Sequence, residues 1–353
     1  MSMLTRNEGL TIAAGIAATI LAGILTYAGA GAVLVFFVSG VALAILAALV
    51  GAATEQLGAR LGPAATGILQ SALGNLPELF VGIFSLRAGL IGVVQAALVG
   101  SILGNSLLVL GLAFLVGGLR NGTQRFASEP PRLIATLMLL AVAALLVPTL
   151  ANYIHTPAGA HADALSLACA LILLIVFIAS IPVSLSSDPT AQAGGESHAV
   201  LWPLWLSGSV LTVAGVGSAL VSDWFVEALR PAIAALHISE AFTGLVIVAI
   251  AGNAVENVVG IQLAVRNKTD YAISVILNSS LQVALALTPV LVLLSFVIGS
   301  THLTLVLPPL LVAALSLATL SSTFIVYDGE SIWLEGVALV GLYSIIAASF
   351  WWG

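Results

Sequence analysis

The chain has 353 residues, of which 60% are hydrophobic and 7% are charged, and its mean hydropathy is +1.19. Soluble domains carry about 25% charged residues, so this composition excludes a water-soluble enzyme. The net charge of −6 comes from few ionisable side chains, and nucleic acid is not an expected partner. The single cysteine, Cys169, lies in an apolar run, so neither a disulfide framework nor a thiolate metal site is expected.

Apolar runs of about 20 residues, long enough to cross a bilayer, recur along almost the whole chain. The pattern predicts an all-α integral membrane protein with about eleven transmembrane helices. In chain order the predicted spans are 10–27, 32–51, 65–86, 91–117, 133–150, 164–184, 201–221, 241–264, 271–298, 303–321 and 332–352. The first run is longer than the apolar region of a signal peptide, so we expect it to be retained.

The distribution of basic residues predicts the orientation. With the N-terminus inside, seven of the nine Lys and Arg residues fall on the inner side, and only Arg87 and Arg230 fall outside. The inner ones are Arg6, Arg60, Arg120, Arg125, Arg132, Arg266 and Lys268. The positive-inside rule predicts a cytoplasmic N-terminus and a C-terminus outside, and the expected location is the cell (inner) membrane.

The two halves of the chain resemble each other. Residues 74–78 read Gly-Asn-Leu-Pro-Glu and residues 252–256 read Gly-Asn-Ala-Val-Glu, and the two glutamates are 256 − 78 = 178 positions apart. Thr-Gly precedes each string, at 66–67 and 243–244. Each half has five predicted spans, so the second copy enters the membrane from the opposite side, an architecture typical of alternating-access transporters.

This repeat gives the predicted domain organisation. An N-terminal transmembrane helix, 1–30, precedes a first five-helix repeat, 31–183, and a second five-helix repeat, 200–353. Between the repeats, residues 184–199 are rich in Ser, Gly and Ala and are predicted to form a flexible cytoplasmic linker.

Of the fifteen acidic residues, only Glu78 and Glu256 are predicted to lie well inside spans. A carboxylate in hydrocarbon costs about 2.5–3.5 kcal/mol on insertion scales, so each is a candidate functional residue. Asn75 precedes Glu78 by three positions, as Asn253 precedes Glu256, and each pair therefore shares a helix face. A buried structural hydrogen-bond pair is the alternative interpretation.

Oxygen ligands of these kinds favour a hard cation such as calcium, which takes 6–8 oxygens. No His or Cys accompanies the glutamates, which disfavours softer metals. Pro77 cannot donate to the carbonyl of Leu73, so that oxygen is expected to be free, and in the second copy an opening would have to arise at Gly252. Two carboxylates balance one divalent charge and would take up protons when the cation leaves.

Further polar residues complete the candidate site. The predicted metal ligands are Glu78, Glu256, Asn75, Asn253, Asn105, Gln282, Ser279, Ser101, Leu73, Gly74 and Gly252. For Asn105, Ser279, Gln282 and Ser101 the alternative is interhelical hydrogen bonding. The acids near span ends, Glu55, Asp223 and Glu227, are more often solvated caps than members of an ion pathway.

At these motifs the chain resembles the cation/proton exchanger family of the calcium/cation antiporter superfamily. Residues 74–78 and 252–256 resemble the two repeat motifs of that family, and Asn278-Ser279-Ser280-Leu281-Gln282 is similar to its Gly-Ser-Ser-x-Gln pattern, with asparagine replacing the glycine. The resemblance implies calcium as the transported substrate, protons as the counter-ion and the two glutamates as shared ligands. Family members often carry a strongly acidic linker, whereas this one holds only Asp188 and Glu196.

Rival functions remain open at this point. Sodium/calcium exchangers of the superfamily carry an acid where Gln282 stands, so sodium coupling or a broader divalent-cation exchange is the nearest alternative. An intramembrane enzyme is less favoured, because no Arg or Lys lies midspan and no His-Glu-x-x-His signature occurs. A calcium channel is a third alternative. No cofactor is expected, and the expected partners are calcium, protons and the lipid bilayer.

Overall fold

The structure, a computed structural model, describes residues 4–61, 73–127, 129–187, 202–298 and 301–352. Its α-helices are α1 Arg6–Tyr27, α2 Ala32–Leu61, α3 Leu76–Arg87, α4 Ile91–Leu103, α5 Leu110–Asn121, α6 Glu129–Tyr153, α7 Ala162–Ser187, α8 Leu204–Leu236, α9 Glu240–Phe242, α10 Ala249–Gly252, α11 Ala254–Val265, α12 Thr269–Gln282, α13 Thr288–Ile298, α14 Pro309–Val326 and α15 Trp333–Ser349. Three π-helical segments, π1 Gly104–Val109, π2 Thr243–Val248 and π3 Val283–Leu287, and a 3-10 turn at Pro157–His161 join some of them. Two short strands, β1 Gln124–Arg125 and β2 Glu330–Ser331, pair antiparallel.

The prediction of an all-α integral membrane fold is confirmed. Within the described residues, eight helices are long and apolar enough to cross a bilayer, and a ninth span results if Glu240–Gly252 and Glu256–Val265, bent by 64°, are one crossing. The last apolar helix, α15, is 17 residues long. The predicted third span falls partly on 62–72, outside the described residues, so the count of eleven stays a prediction.

The predicted start of the tenth span at residue 303 is wrong, because residues 303–307 are neither helix nor strand and the helix begins at Pro309. Side chains of distant helices satisfy the backbone of this segment. The N–H of Leu305 donates to Ser166 Oγ at 2.8 Å, and its carbonyl accepts from Thr149 Oγ1 at 2.9 Å. These hydrogen bonds to distant side chains replace the bonds that a helix would have formed.

Two other predicted boundaries also move. The predicted seventh span corresponds to α8, which runs over Leu204–Leu236 rather than ending at 221, because Asp223 and Glu227 are exposed and do not interrupt it. The predicted sixth span corresponds to α7, which continues to Ser187, so residues 184–187 are helical rather than part of the linker. The remainder of the predicted linker lies at 188–199, outside the described residues.

Buried apolar side chains form two clusters that hold the bundle together. One joins α1, α2 and α8, where the rings of Phe36 and Phe225 stack with centroids 4.7 Å apart. The larger cluster surrounds α4, π1 and α5 and contains Leu103, Leu107 and Phe114. Many large apolar side chains point outward, as expected of a surface that faces lipid.

Contacts among helix ends and loops group them at two ends of the bundle. We name these ends inner and outer, after the orientation predicted from the basic residues. At the inner end, Asn121 Nδ2 donates to the Ala264 carbonyl at 3.1 Å, and Arg125 pairs with Glu330 at 3.1 Å. At the outer end, Gln95 Nε2 donates to the carbonyls of Thr304, at 2.9 Å, and Val306, at 3.1 Å.

Candidate cation site

Two interrupted helices frame the candidate site. Helix α3 begins after Asn75 and helix α11 after Asn253, and the two asparagines have nearly the same backbone angles, φ −95° and ψ 21° against φ −93° and ψ 18°. Glu78 and Glu256 each stand at the third position of the helix that follows. Both carboxylates therefore lie in the first helical turn, where the helix dipole stabilises negative charge.

Neither asparagine caps its helix with its side chain. An N-cap asparagine ordinarily accepts a hydrogen bond from the second or third helical N–H. Here the Asn253 amide instead donates to Ser101 Oγ at 2.9 Å and to the Ala249 carbonyl at 2.9 Å. The Asn75 amide donates to Gln282 Oε1 at 3.5 Å, a long and weak contact. Both side chains are thus directed across the bundle.

Asn105, on π1, is the centre of the polar cluster. Its amide nitrogen donates to Asn253 Oδ1 at 3.0 Å and to Ser279 Oγ at 2.9 Å, and the residue is 1% exposed. Its carbonyl oxygen Oδ1 is buried and has no hydrogen-bond partner within the described residues. A buried amide oxygen without a partner costs about 1–3 kcal/mol, which a bound cation would offset.

Glu78 borders this cluster from the first half of the chain. Ser101 Oγ donates to Glu78 Oε1 at 3.5 Å, and Glu78 is 9% exposed. Gly252 lies directly against it, since a Cβ added there would be 2.4 Å from Glu78 Cγ. Glu256, the matching acid of the second half, is half-buried on α11.

A close helix crossing brings Ser101 and Asn253 together. At Gly100 an added Cβ would lie 2.2 Å from the Leu245 carbonyl oxygen, and at Gly244 one would lie 2.6 Å from the Val93 carbonyl oxygen. Helix α4 and π2 therefore approach backbone to backbone, which only glycine permits. This explains the glycine of the Thr-Gly pair at 243–244, while the matching pair at 66–67 lies outside the described residues.

The predicted effect of Pro77 is wrong. Pro77 is not inside a helix but in the first turn of α3, where a missing N–H breaks no bond. The chain breaks in the same way at Asn253, where no proline follows, so proline does not cause the break. The break at Asn75 already separates Leu73 from α3, and Leu73 and Gly74 are half-buried beside the site.

Hydrogen bonds join five of the predicted residues in one set of contacts: Glu78, Ser101, Asn253, Asn105 and Ser279. Asn75 contacts Gln282, Gly252 lies against Glu78, and Glu256 is half-buried on α11. A hydroxyl pair was missed by sequence reasoning: Ser106 Oγ and Ser280 Oγ are 3.2 Å apart and buried beside the cluster. The position of Ser280, directly after Ser279 in the motif, was an available signal.

Comparison with known proteins gives consistent matches. A family model described as sodium/calcium exchanger protein matches residues 31–185 and 206–352. The chain is 36% identical over 342 residues to a Ca(2+)/H(+) antiporter of Synechocystis sp., covering 91% of this chain and 92% of that protein. It is 33% identical to the Ca(2+)/H(+) antiporter ChaA of Bacillus subtilis, covering 97% of each.

Solved structures agree with these matches. The crystal structure of the Ca2+/H+ antiporter protein YfkE aligns with a TM-score of 0.83 at 31% identity, covering 98% of this chain and 99% of that one. The H+/Ca2+ exchanger CAX aligns with a TM-score of 0.79 at 17% identity, a likeness of fold.

Proposed function

The chain belongs to the sodium/calcium exchanger protein family, and we propose that it is a secondary transporter that exchanges cytoplasmic calcium for protons. It is a transporter of this family and not an enzyme. The observation that carries the proposal is the direction of the two N-cap asparagines. Neither side chain caps its own helix: Asn253 donates to Ser101 in the oxygen-rich cluster beside Glu78, and Asn75 donates to Gln282. The names of the antiporters at 33% and 36% identity support the choice of ions.

The proposed ligands are the glutamates, the amides and hydroxyls of the cluster, and backbone oxygens at the two breaks. Glu78 and Glu256 supply the charge, and Asn105 Oδ1 supplies an oxygen that is already buried without a partner. The remaining proposed ligands are Asn75, Asn253, Gln282, Ser279 and Ser101, with backbone carbonyls at Leu73, Gly74 and Gly252. Together these offer enough oxygens for the 6–8 that calcium takes.

Proton coupling follows from the charge of the site. Two carboxylates neutralise one calcium ion, and when the ion leaves they repel each other across a poorly solvated space. Protonation of both restores neutrality, so the returning site carries protons in place of calcium. The exchange needs no cofactor, with calcium as transported substrate.

Alternating access would arise from the two halves, 31–183 and 200–353, as an inverted repeat about the site, with 1–30 as an additional helix and 184–199 as the connection. The near-identical backbone angles at Asn75 and Asn253 support this arrangement, and so do the π-helical segments that follow α4 and α12 in matching positions. Interrupted helices whose N-termini meet at a midplane site are typical of such transporters.

The proposed orientation has the N-terminus in the cytoplasm and the C-terminus outside, in the cell (inner) membrane. The seven-to-two distribution of basic residues supports it. Contacts between connections agree with the alternation of eleven spans: Asn121 contacts Ala264 at one end, and Ser239 N–H donates to the Trp351 carbonyl at the other.

The test is calcium uptake into proteoliposomes under an imposed pH gradient, with sodium present and absent. We expect accumulation of calcium against its gradient, driven by the pH gradient alone. A sodium gradient at a clamped pH should drive no comparable flux. Equal or greater sodium-driven flux would overturn proton coupling, and dissipation without accumulation would indicate a channel.

A further inference from the structure

Three amide oxygens are buried without a hydrogen-bond partner in the part of the chain that the structure describes: those of Asn105, Gln124 and Asn257. A buried hydroxyl can turn to find a donor or an acceptor, but an amide oxygen only accepts. Gln124 lies on β1 at the inner end, and Asn105 is already a proposed ligand. Asn257 is not among the predicted ligands, although it follows Glu256 directly in the sequence.

Asn257 lies on the face of α11 that meets π1 and α12. Asn253, four positions earlier, accepts a hydrogen bond from Asn105 on π1 at 3.0 Å. Gly260, three positions later, packs against α12, since a Cβ added there would lie 2.7 Å from Ile276 Cγ1. Positions 253, 257 and 260 share one helix face, so Asn257 belongs to the same interface as the residues on either side of it.

The amide donors of this interface are already used. The side chains of Asn105 and Asn253 have two N–H donors each, and the hydrogen bonds described above occupy all four. No amide N–H of these two residues is left for the oxygens of Asn105 and Asn257. Oxygens that outnumber their donors on facing helices are suited to bind a hard cation.

We propose that Asn257 is a further calcium ligand, on the inner side of the candidate site. This inference rests on the proposed function. Helix α11 runs from the break at Asn253 towards the inner end, where Asn121 contacts the Ala264 carbonyl. Asn257 therefore lies about 6 Å inward of Asn253 along the axis, one helical turn away. An amide oxygen is a ligand that calcium takes, and it adds no charge to the two carboxylates.

The repeat makes this ligand one-sided. The position matching Asn257 in the first half is 257 − 178 = 79, which is Leu79, and Leu79 packs against the larger apolar cluster. The inner side thus has an oxygen where the outer side has an apolar residue. In the proposed exchange, this is the side from which calcium arrives. Leucine is close to asparagine in size, so Asn257→Leu removes the oxygen with little change in packing.

The experiment measures calcium affinity and stability in the same variants. Calorimetric titration in detergent gives the affinity, and the melting temperature in a chelator gives the stability of the calcium-free protein. We expect Asn257→Leu to weaken calcium binding by about threefold to tenfold, the scale of one lost polar interaction. Its melting temperature in the chelator should stay the same or rise, because an apolar side chain replaces a buried acceptor without a partner. Asn257→Asp, which keeps the oxygen, should bind calcium at least as tightly as the unmodified protein.

Asn121→Leu is the matched control. The Asn121 amide has protein partners on the same helix, the carbonyls of Ala264 and Val265, at the inner end. This variant should leave calcium affinity unchanged and should not raise the melting temperature. An equal loss of affinity in the control would mean that the loss in Asn257→Leu is a general effect of altered packing, and the inference would be wrong.

Unchanged calcium affinity in Asn257→Leu would overturn the inference, and water would then be the partner of the oxygen. A lower melting temperature in the chelator would also overturn it, because the amide would then have a structural role. If Asn257→Leu does not fold, Asn257→Ala tests the affinity instead, and failure of both to fold would assign the oxygen to structure. Absence of calcium binding by the unmodified protein would overturn the proposed function, and this ligand with it.

Discussion

Substitution of Gly252 by alanine tests the position of Glu78 without touching any charged group. The added Cβ would lie 2.4 Å from Glu78 Cγ, and ordinary van der Waals contact begins at 3.4 Å. Glu78 must therefore retreat by 3.4 − 2.4 = 1.0 Å. Calcium holds its oxygens within a range of about 2.3–2.6 Å, so a displacement of this size removes a ligand from the coordination shell.

The expected result is a loss of calcium affinity of about tenfold to a hundredfold, equivalent to about 1.4–2.8 kcal/mol of binding free energy. Calorimetric titration of calcium in detergent measures the affinity, and proteoliposome uptake measures the exchange. Gly215→Ala in α8 is the matched control, because no atom lies within 4 Å of its added Cβ. Alanine there should be neutral or slightly stabilising, since glycine inside a helix costs about 0.5–1 kcal/mol relative to alanine.

If Gly252→Ala left calcium affinity and calcium uptake unchanged, Glu78 would not be a calcium ligand at the position that the structure gives it. Loss of the folded protein would be recognised by its melting temperature and its elution volume. Gly252→Ser would then serve as the second variant: its Cβ repeats the clash, and its hydroxyl offers a hydrogen bond to the displaced carboxylate. Partial recovery of folding with calcium affinity still reduced would sustain the assignment.

Four further outcomes are expected. Glu78→Gln and Glu256→Gln should each abolish exchange while the protein remains folded, and near-normal uptake in either would contradict the two-carboxylate site. Calcium affinity should weaken as the pH falls, because protons bind the same carboxylates. Calorimetric titration in buffers of different ionisation enthalpy should show that each calcium ion displaces more than one proton, and the absence of displaced protons would exclude competition. Gln282→Asp should retain or strengthen calcium binding and slow calcium release. Gln282→Ala should weaken calcium binding and should not create sodium-driven calcium uptake. Sodium-dependent uptake in the alanine variant would argue against a ligand role for the amide. Ser166→Ala should lower the stability by about 1–3 kcal/mol, since it leaves the buried N–H of Leu305 unpaired, and an unchanged melting temperature would show that another group satisfies it.

The positions of the glutamates could be predicted from the sequence because a carboxylate in an apolar run has few explanations. Glu78 and Glu256 needed only hydropathy and the 178-residue offset. Ser101 and Ser279 were harder, since a serine hydroxyl inside a helix can instead bond a carbonyl of its own backbone. Only the crossing at Gly100 decides that Ser101 contacts Asn253, and such a crossing depends on packing between distant helices.

The non-helical segment at 303–307 and the π-helical segments could not be predicted for a related reason. Residues 303–307 read Leu-Thr-Leu-Val-Leu, which is compatible with a helix by composition alone. Their conformation is set by Ser166 and Thr149, more than a hundred residues earlier. Hydropathy records how apolar a segment is, but not where its backbone finds hydrogen-bond partners.

The non-helical segment at 303–307 has a consequence for how the chain is inserted into the membrane. Helix α14 has 18 residues and reaches about 27 Å, whereas the hydrocarbon core is about 30 Å thick. Residues 303–307 supply the missing length, but their backbone groups, if left unpaired, would each cost several kcal/mol in lipid. Gln95, Thr149 and Ser166 all precede them in the chain, so synthesis from the N-terminus delivers the partners first. A circular permutant that placed 303–307 ahead of these helices would have to integrate an unpaired backbone.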